Sequence, residues 1–270
     1  TVSGNLTLSG DTRIVTTGAL TLSGAIDAAS DGGTSALTLA NAASANGLIS
    51  LNAAVGATHA LSSLTATTGL ALADNVSTTG AQHYQGAVSA TTGTLTGAAI
   101  QFDQAVTSTG ALTIDNTGVL TVSAGAAISA AGGFTQTGSG TVQLGAGITT
   151  DGQDLVIGQR IDLLPDGGSP QTITLSTGTG AGNLQLAAVA GAAGQSDGLA
   201  LTAGSGSVTV TGSIADVGTL TLNSAAAGAT LQGAVSADTL TLVDGVAGDG
   251  AVIALQGDVT LAGGLSVGTG

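Results

Sequence analysis

Short apolar-threonine-apolar triplets recur along the whole chain: Leu6-Thr7-Leu8, Leu20-Thr21-Leu22, Leu37-Thr38-Leu39, Leu112-Thr113-Ile114, Leu120-Thr121-Val122, Ile173-Thr174-Leu175, Val208-Thr209-Val210, Leu220-Thr221-Leu222, Leu240-Thr241-Leu242 and Val259-Thr260-Leu261. Each is a minimal β-strand. Successive side chains of a strand point to opposite faces, so the two apolar residues of a triplet share one face and the threonine takes the other. Such a strip cannot bury itself alone. Many of them, each followed by a turn and none separated by a helix, bury their apolar faces by stacking into a solenoid around one continuous core.

Composition closes off the helical alternatives. The chain has only two Lys or Arg residues, Arg13 and Arg160, and all 16 acidic residues are aspartates. Lysine and glutamate, which support exposed helices, are missing, while Gly, Thr, Ser and Asp are plentiful. A disordered low-complexity chain is excluded by a hydrophobic fraction of 43% and only two prolines, Pro165 and Pro170. An antiparallel sandwich is the main competing fold, but it wants longer strands and larger core residues than Tyr84, Phe102 and Phe134 supply. Helical crossovers, which an ordinary α/β parallel sheet requires, are absent. The expectation is therefore an all-β, right-handed parallel β-helix of short strands, a single β-solenoid segment over 1–270.

Irregular spacing between triplets fits two or three strands per coil with variable corners. At roughly 20 to 25 residues per coil the chain makes on the order of twelve coils, and at ~4.8 Å per stacked strand a rod of roughly 55 to 60 Å. The pairs Asp31-Gly32, Asp151-Gly152, Asp166-Gly167, Asp197-Gly198, Asp244-Gly245 and Asp249-Gly250 read as tight-turn corners, with local side-chain hydrogen bonds and positive φ. Residues 151–170 depart from the pattern, and an irregular loop or a change of cross-section is expected there.

The net charge of −14 argues against nucleic acid, whose phosphates are bound by clustered Lys and Arg. Anionic membrane surfaces are disfavoured on the same ground. No membrane insertion is expected either, because the longest apolar run, 184–194, contains Gln185 and is broken by Gly191 and Gly194. The absence of cysteine is compatible with an extracellular bacterial protein. The chain starts at Thr1 without a signal peptide, and is read as a processed product or a piece of a longer polypeptide.

The segment 54–114, with its lead-in AVGATHALSSL and its core TTGAQHYQGAV, resembles the β-strand repeats of bacterial surface proteins of the filamentous-haemagglutinin and autotransporter-adhesin kind. Elsewhere the likeness rests on loose GxLTL units. The resemblance implies a right-handed parallel β-helix, export, and a role in attachment, matrix or filament formation, with no catalytic residues to carry over. It also implies self-association, end-to-end or lateral, and contacts with host cells, surfaces or glycans.

Parallel β-helices also carry polysaccharide lyases and hydrolases, and the cluster Asp151, Asp154, Asp162 and Asp166 with Arg160 offers acid, base and anion-stabilising groups for such chemistry. Turn aspartates and one structural ion pair account for it more simply. His59 and His83 could share a metal if stacked on one face, but two imidazoles make an incomplete site. Sixteen aspartates could hold calcium weakly, yet no calcium-loop motif occurs. No nucleophile elbow or phosphate loop is present. Asn5-Leu6-Thr7 and Asn75-Val76-Ser77 match the short N-glycosylation pattern. Outward threonines in register could order ice, but the irregular triplet spacing argues against a flat array. No catalytic, cofactor-binding or metal-ligating residue is assigned. The expected role is a non-enzymatic structural segment of a bacterial cell-surface or secreted adhesin-like fibre.

Overall fold

A computed structural model describes residues 1–30, 34–42, 47–165, 170–192, 194, 196–244 and 252–269. These residues form a parallel β-solenoid of about 11 turns with no helix, close to the dozen coils expected. Over most of its length each turn contributes three short strands, one to each of three stacked sheets. In one turn Leu112–Asn116 lies on what we term the leading face, Leu120–Val122 on the middle face and Ile128–Ala130 on the trailing face. The next turn repeats the set with Phe134–Gln136, Val142–Leu144 and Ile148–Thr150, each in parallel register with its predecessor.

Alternation within each strand builds the core. Leu120, Val122, Ile128 and Phe134 are buried while Thr121 and Ser129 point outward, as the triplets require. Stacking then places apolar residues in columns parallel to the axis. One middle-face column runs Ala66, Tyr84, Phe102, Val122, Leu144, Leu163. Tyr84 and Phe102 stack within it, ring centroids 5.2 Å apart and planes 15° from parallel. A leading-face column runs Leu112, Phe134, Leu155, Leu184, Val208. All three aromatic side chains of the protein are thus in the core, and none is a surface platform.

The corner between leading and middle faces is polar inside. Gln82 and Gln136 are buried at positions whose register partners are apolar, and Asn116 is buried in register with Gly97. Gln82 Nε2 donates to the Thr96 carbonyl at 2.7 Å, and the Tyr84 hydroxyl donates to Gln82 Oε1 at 2.8 Å. Further along, Gln136 Nε2 donates to Asn116 Oδ1 and to the Gly138 carbonyl, both at 2.8 Å, and Asn116 Nδ2 donates to the Gly118 carbonyl at 2.9 Å. These amides donate to backbone carbonyls at the corner, one of which, that of Thr96, also accepts the Thr78 N–H. Backbones approach so closely there that a Cβ on Gly140 would fall on the Gly118 carbonyl.

The aspartates act differently from what the sequence suggests. Asp151-Gly152 is a turn, with Gly152 at φ 69°. Asp197-Gly198 is not: Gly198 opens the strand Gly198–Gly204, and buried Asp197 accepts the Gln171 N–H across the rungs at 3.0 Å. Asp31-Gly32, Asp166-Gly167, Gly245 and Asp249-Gly250 lie outside the described residues. Long-range capping is the commoner use of these side chains. Asp11 Oδ1 accepts the Ala36 N–H, Asp27 Oδ1 the Thr58 N–H and Asp154 Oδ1 the Asn183 N–H, each one turn onward. Asparagines do the same: Asn5 takes Ala25, Asn75 takes Thr94 and Asn183 takes Ser207. Both glycosylation-pattern asparagines are therefore engaged in holding consecutive turns together. A corner N–H that no ladder partner reaches is satisfied by a short side-chain acceptor from the turn before.

Of the segment 151–170 expected to be irregular, Leu155–Ile157 and Ile161–Leu163 are ordinary rungs, and residues 166–169, between Pro165 and Pro170, lie outside the described residues. The change of cross-section lies further on. Ile214–Ala225 is a continuous strand whose start pairs with Val189 and Ala190 on the middle face and whose later part pairs with Leu199–Gly204 on the trailing face. Val235–Asp244 and Val259–Thr269 follow it, so the corner between those two faces is replaced by a bulged bend. Asp216 sits at that bend with φ 54°, a left-handed conformation that aspartate tolerates better than branched residues do.

Candidate functional site

The densest constellation of polar side chains stands where the middle face turns toward the trailing face. Strand alternation turns His83 and Gln101 outward from Ala81–Tyr84 and Ala99–Phe102, in direct register on neighbouring rungs. Asp103 follows Phe102 at the corner, and Ser123 follows Val122 one rung later. His83 Nε2 donates to Asp103 Oδ2 at 2.7 Å, Gln101 Nε2 donates to Oδ1 at 2.8 Å, and Ser123 Oγ donates to Oδ1 at 3.1 Å. Gln85 Nε2 lies 3.5 Å from His83 Nδ1. His83 and Asp103 are about one-third exposed.

Desolvation pushes the Asp103 carboxyl upward. Hydrogen bonds from Gln101, His83 and Ser123, with the charge of His83, outweigh it and hold the group below the ordinary aspartate value. The geometry is that of a clasp over three rungs. A Ser-His-Asp relay needs the histidine between nucleophile and acid, whereas here the carboxylate stands between serine and histidine.

The other candidates are not brought together. Asp151 and Asp154 sit at the trailing-to-leading corner, while Asp162 projects from the middle face, so the acidic cluster is divided between two edges of the rod. Arg160 Nε donates to Asp162 Oδ1 at 2.8 Å in an exposed pair, the structural ion pair expected. Asp166 lies outside the described residues. A glycine-lined groove of about 360 Å³ opens beside Asp154, between Gly133, Gly152 and Gly182, but Asp154 Oδ1 is already held by Asn183. His59 and His83 do not stack, because the residue in register with His83 on the rung before is Thr65. Among the described residues no group of three or more His, Cys, Asp or Glu side chains is placed to hold a metal ion. Among the described residues no helix is long and apolar enough to cross a membrane, which says nothing of membrane barrels made of strands.

Sequence reasoning missed the Asp103 clasp. Its members are about twenty residues apart, and only the rung length, fixed by corner sizes, would have brought them together.

Stacked parallel rungs around one aliphatic core, joined by side-chain clasps, define the chain as a β-solenoid repeat protein. The chain matches no family model, no curated protein and no solved structure.

Proposed function

We propose that this chain is a structural rod segment of a bacterial cell-surface or secreted fibre, adhesin-like in kind and without enzymatic activity. One observation carries the reading: the polar cluster around Asp103, and several further carboxylates, join one turn to the next. Asp103 holds His83, Gln101 and Ser123, and Asp154 holds Asn183, so the carboxylates and the imidazole act as mechanical ties. A parallel solenoid resists bending and extension because every rung is hydrogen-bonded to both neighbours. The acidic surface keeps rods apart from anionic partners, and self-association and contact with surfaces or glycans belong to the same reading.

Electron microscopy of purified protein at increasing concentration tests it, with fibres or laterally joined rods as the expected result. Release of reducing ends from acidic polysaccharide, lost in Asp154→Ala and Arg160→Ala, would replace this reading with an enzymatic one.

A further inference from the structure

We propose that the trailing face is a lateral contact surface for a second copy of this chain, two rods lying side by side about a two-fold axis; this rests on the structural reading above and names the surface it uses. The outward residues of that face form one column in strict register: Ser89, Thr107, Ser129, Thr149, Ser176, Thr202. Ala87, Ala105 and Ala127 flank it on one side, and Thr91 and Thr109 on the other. Four members of the column, Ser89 through Thr149, are exposed.

Charge makes this face different from the others. The middle face projects Arg13, His83 and Asp162, and the leading face projects Asp27 and Asp115. The trailing column holds no ionisable side chain from Thr21 to Asn223, and Asp151 stands only at its border. In a chain of net charge −14, two copies meeting through the leading face would set Asp27 and Asp115 carboxylates against those of the other copy, and meeting through the middle face would cover Arg13, His83 and the Arg160–Asp162 pair at a desolvation cost. Meeting through the trailing face keeps most carboxylates on the far sides of the pair, screened over a Debye length of about 8 Å.

Period and area also select a second copy. The column offers one small side chain per rung, every ~4.8 Å, and the surface that matches this repeat is another β-solenoid face. Hydroxyls rotate to donate or accept, so serine and threonine columns can pair with themselves. A face of about ten rungs and about five residues across covers roughly 700 Å² per copy, hence roughly 1,400 Å² for two, within the range of stable interfaces. An isologous pair closes on itself, so this contact joins two rods without extending a fibre.

Sedimentation velocity from micromolar to near-millimolar concentration tests the proposal. Wild-type protein is expected to pair. Thr107→Asp combined with Ser129→Asp should weaken pairing at least about tenfold, whereas the same added charge at Thr121→Asp with Gln143→Asp on the middle face should change it less than about threefold. Circular dichroism melts check that both variants fold, since all four positions face outward. The chain has no cysteine, so Ser129→Cys under mild oxidation should give disulfide-linked dimers faster than Thr121→Cys. Equal weakening by both double variants overturns the proposal. Monomeric wild-type rods that still form fibres under the microscope overturn this surface and leave the structural reading standing; absence of both pairs and fibres overturns both.

Discussion

The middle of the rod and its C-terminal turns solve the same packing problem in two ways. Between about residues 76 and 163 each turn is broken into three short strands, and polar corners with buried amides define a three-sided cross-section. From residue 214 onward two sides merge into single strands such as Ile214–Ala225 and Val259–Thr269, and the corner becomes a bulge. Burial inside the rod is the same in both: Phe102, Ile114 and Phe134 are 0% exposed, and Leu220 and Leu240 on the merged strands are 0% and 1% exposed. Leu265 and Val267, at 58% and 72%, lie in the last described rung, which pairs on one side only. The comparison teaches that a polar corner and a bulged bend close a turn over its core equally well, and that a side chain is exposed where no further described rung stacks on it. Where a corner carries its own hydrogen-bonding side chains, both strands beside it can turn their apolar faces inward.

Substitutions test this contrast, and the largest effect is expected in the core column. Phe134→Ala should cost about 3 to 5 kcal/mol by urea denaturation, because it leaves a cavity between Leu112 and Leu155 that rigid neighbouring rungs cannot fill. A cost below about 1 kcal/mol would mean the middle turns are as loosely packed as the last one.

Corner closeness comes next. Gly140→Ala places a methyl on the Gly118 carbonyl and should cost about 1 to 3 kcal/mol, whereas Gly268→Ala, where nothing but the Leu242 carbonyl comes within 4.0 Å, should be nearly neutral. Thermal melts of the two variants give the difference directly, and equal melting temperatures would remove the corner argument.

Asn116→Ala should cost about 1 to 3 kcal/mol, since it takes from buried Gln136 one of its acceptors, leaving the Gly138 carbonyl, and takes from the Gly118 carbonyl its side-chain donor. Replacing Asn223, on the merged strand, should change stability by no more than about 0.5 kcal/mol.

A smaller effect is expected from acid. Asp103 has a depressed pKa in the folded protein, so the unfolded state binds its proton more readily. Its contribution is therefore complete above the unfolded aspartate value of about 3.9 and is lost as pH falls through the lower folded value. Asp103→Asn should flatten the decline of stability with pH below about 4, measured by urea denaturation across that range. An unchanged acid slope would show that the clasp has no electrostatic part.

Much of the architecture is readable from short stretches. The Leu-Thr-Leu triplets state which side chains go inward, and the structure places them so, from Leu37-Thr38-Leu39 to Leu220-Thr221-Leu222. Registers were not readable, because turn length varies with the corners: hydrogen-bonded partners are 18 residues apart at Thr109 and Thr91 but 29 apart at Asn183 and Asp154. For the same reason irregular triplet spacing is a poor guide to surface regularity. The hydroxyl columns are in register although their sequence intervals are not, since extra residues are absorbed in loops between strands. Asp-Gly pairs misled in the opposite sense, as Asp197 shows, because a side-chain acceptor can serve a distant N–H as readily as a local one.

By itself the sequence determined the strand, its two faces and the need to stack, because alternation and the lack of helix formers are properties of a few adjacent residues. Only the tertiary structure decided which residues become neighbours across turns: that Asp103 gathers His83, Gln101 and Ser123, that Gln136 meets Asn116, and that the outward column from Thr21 to Asn223 carries no charge. The physical reason is that contacts along the solenoid axis depend on the total length of each turn, a sum over corners, and no local propensity encodes that sum.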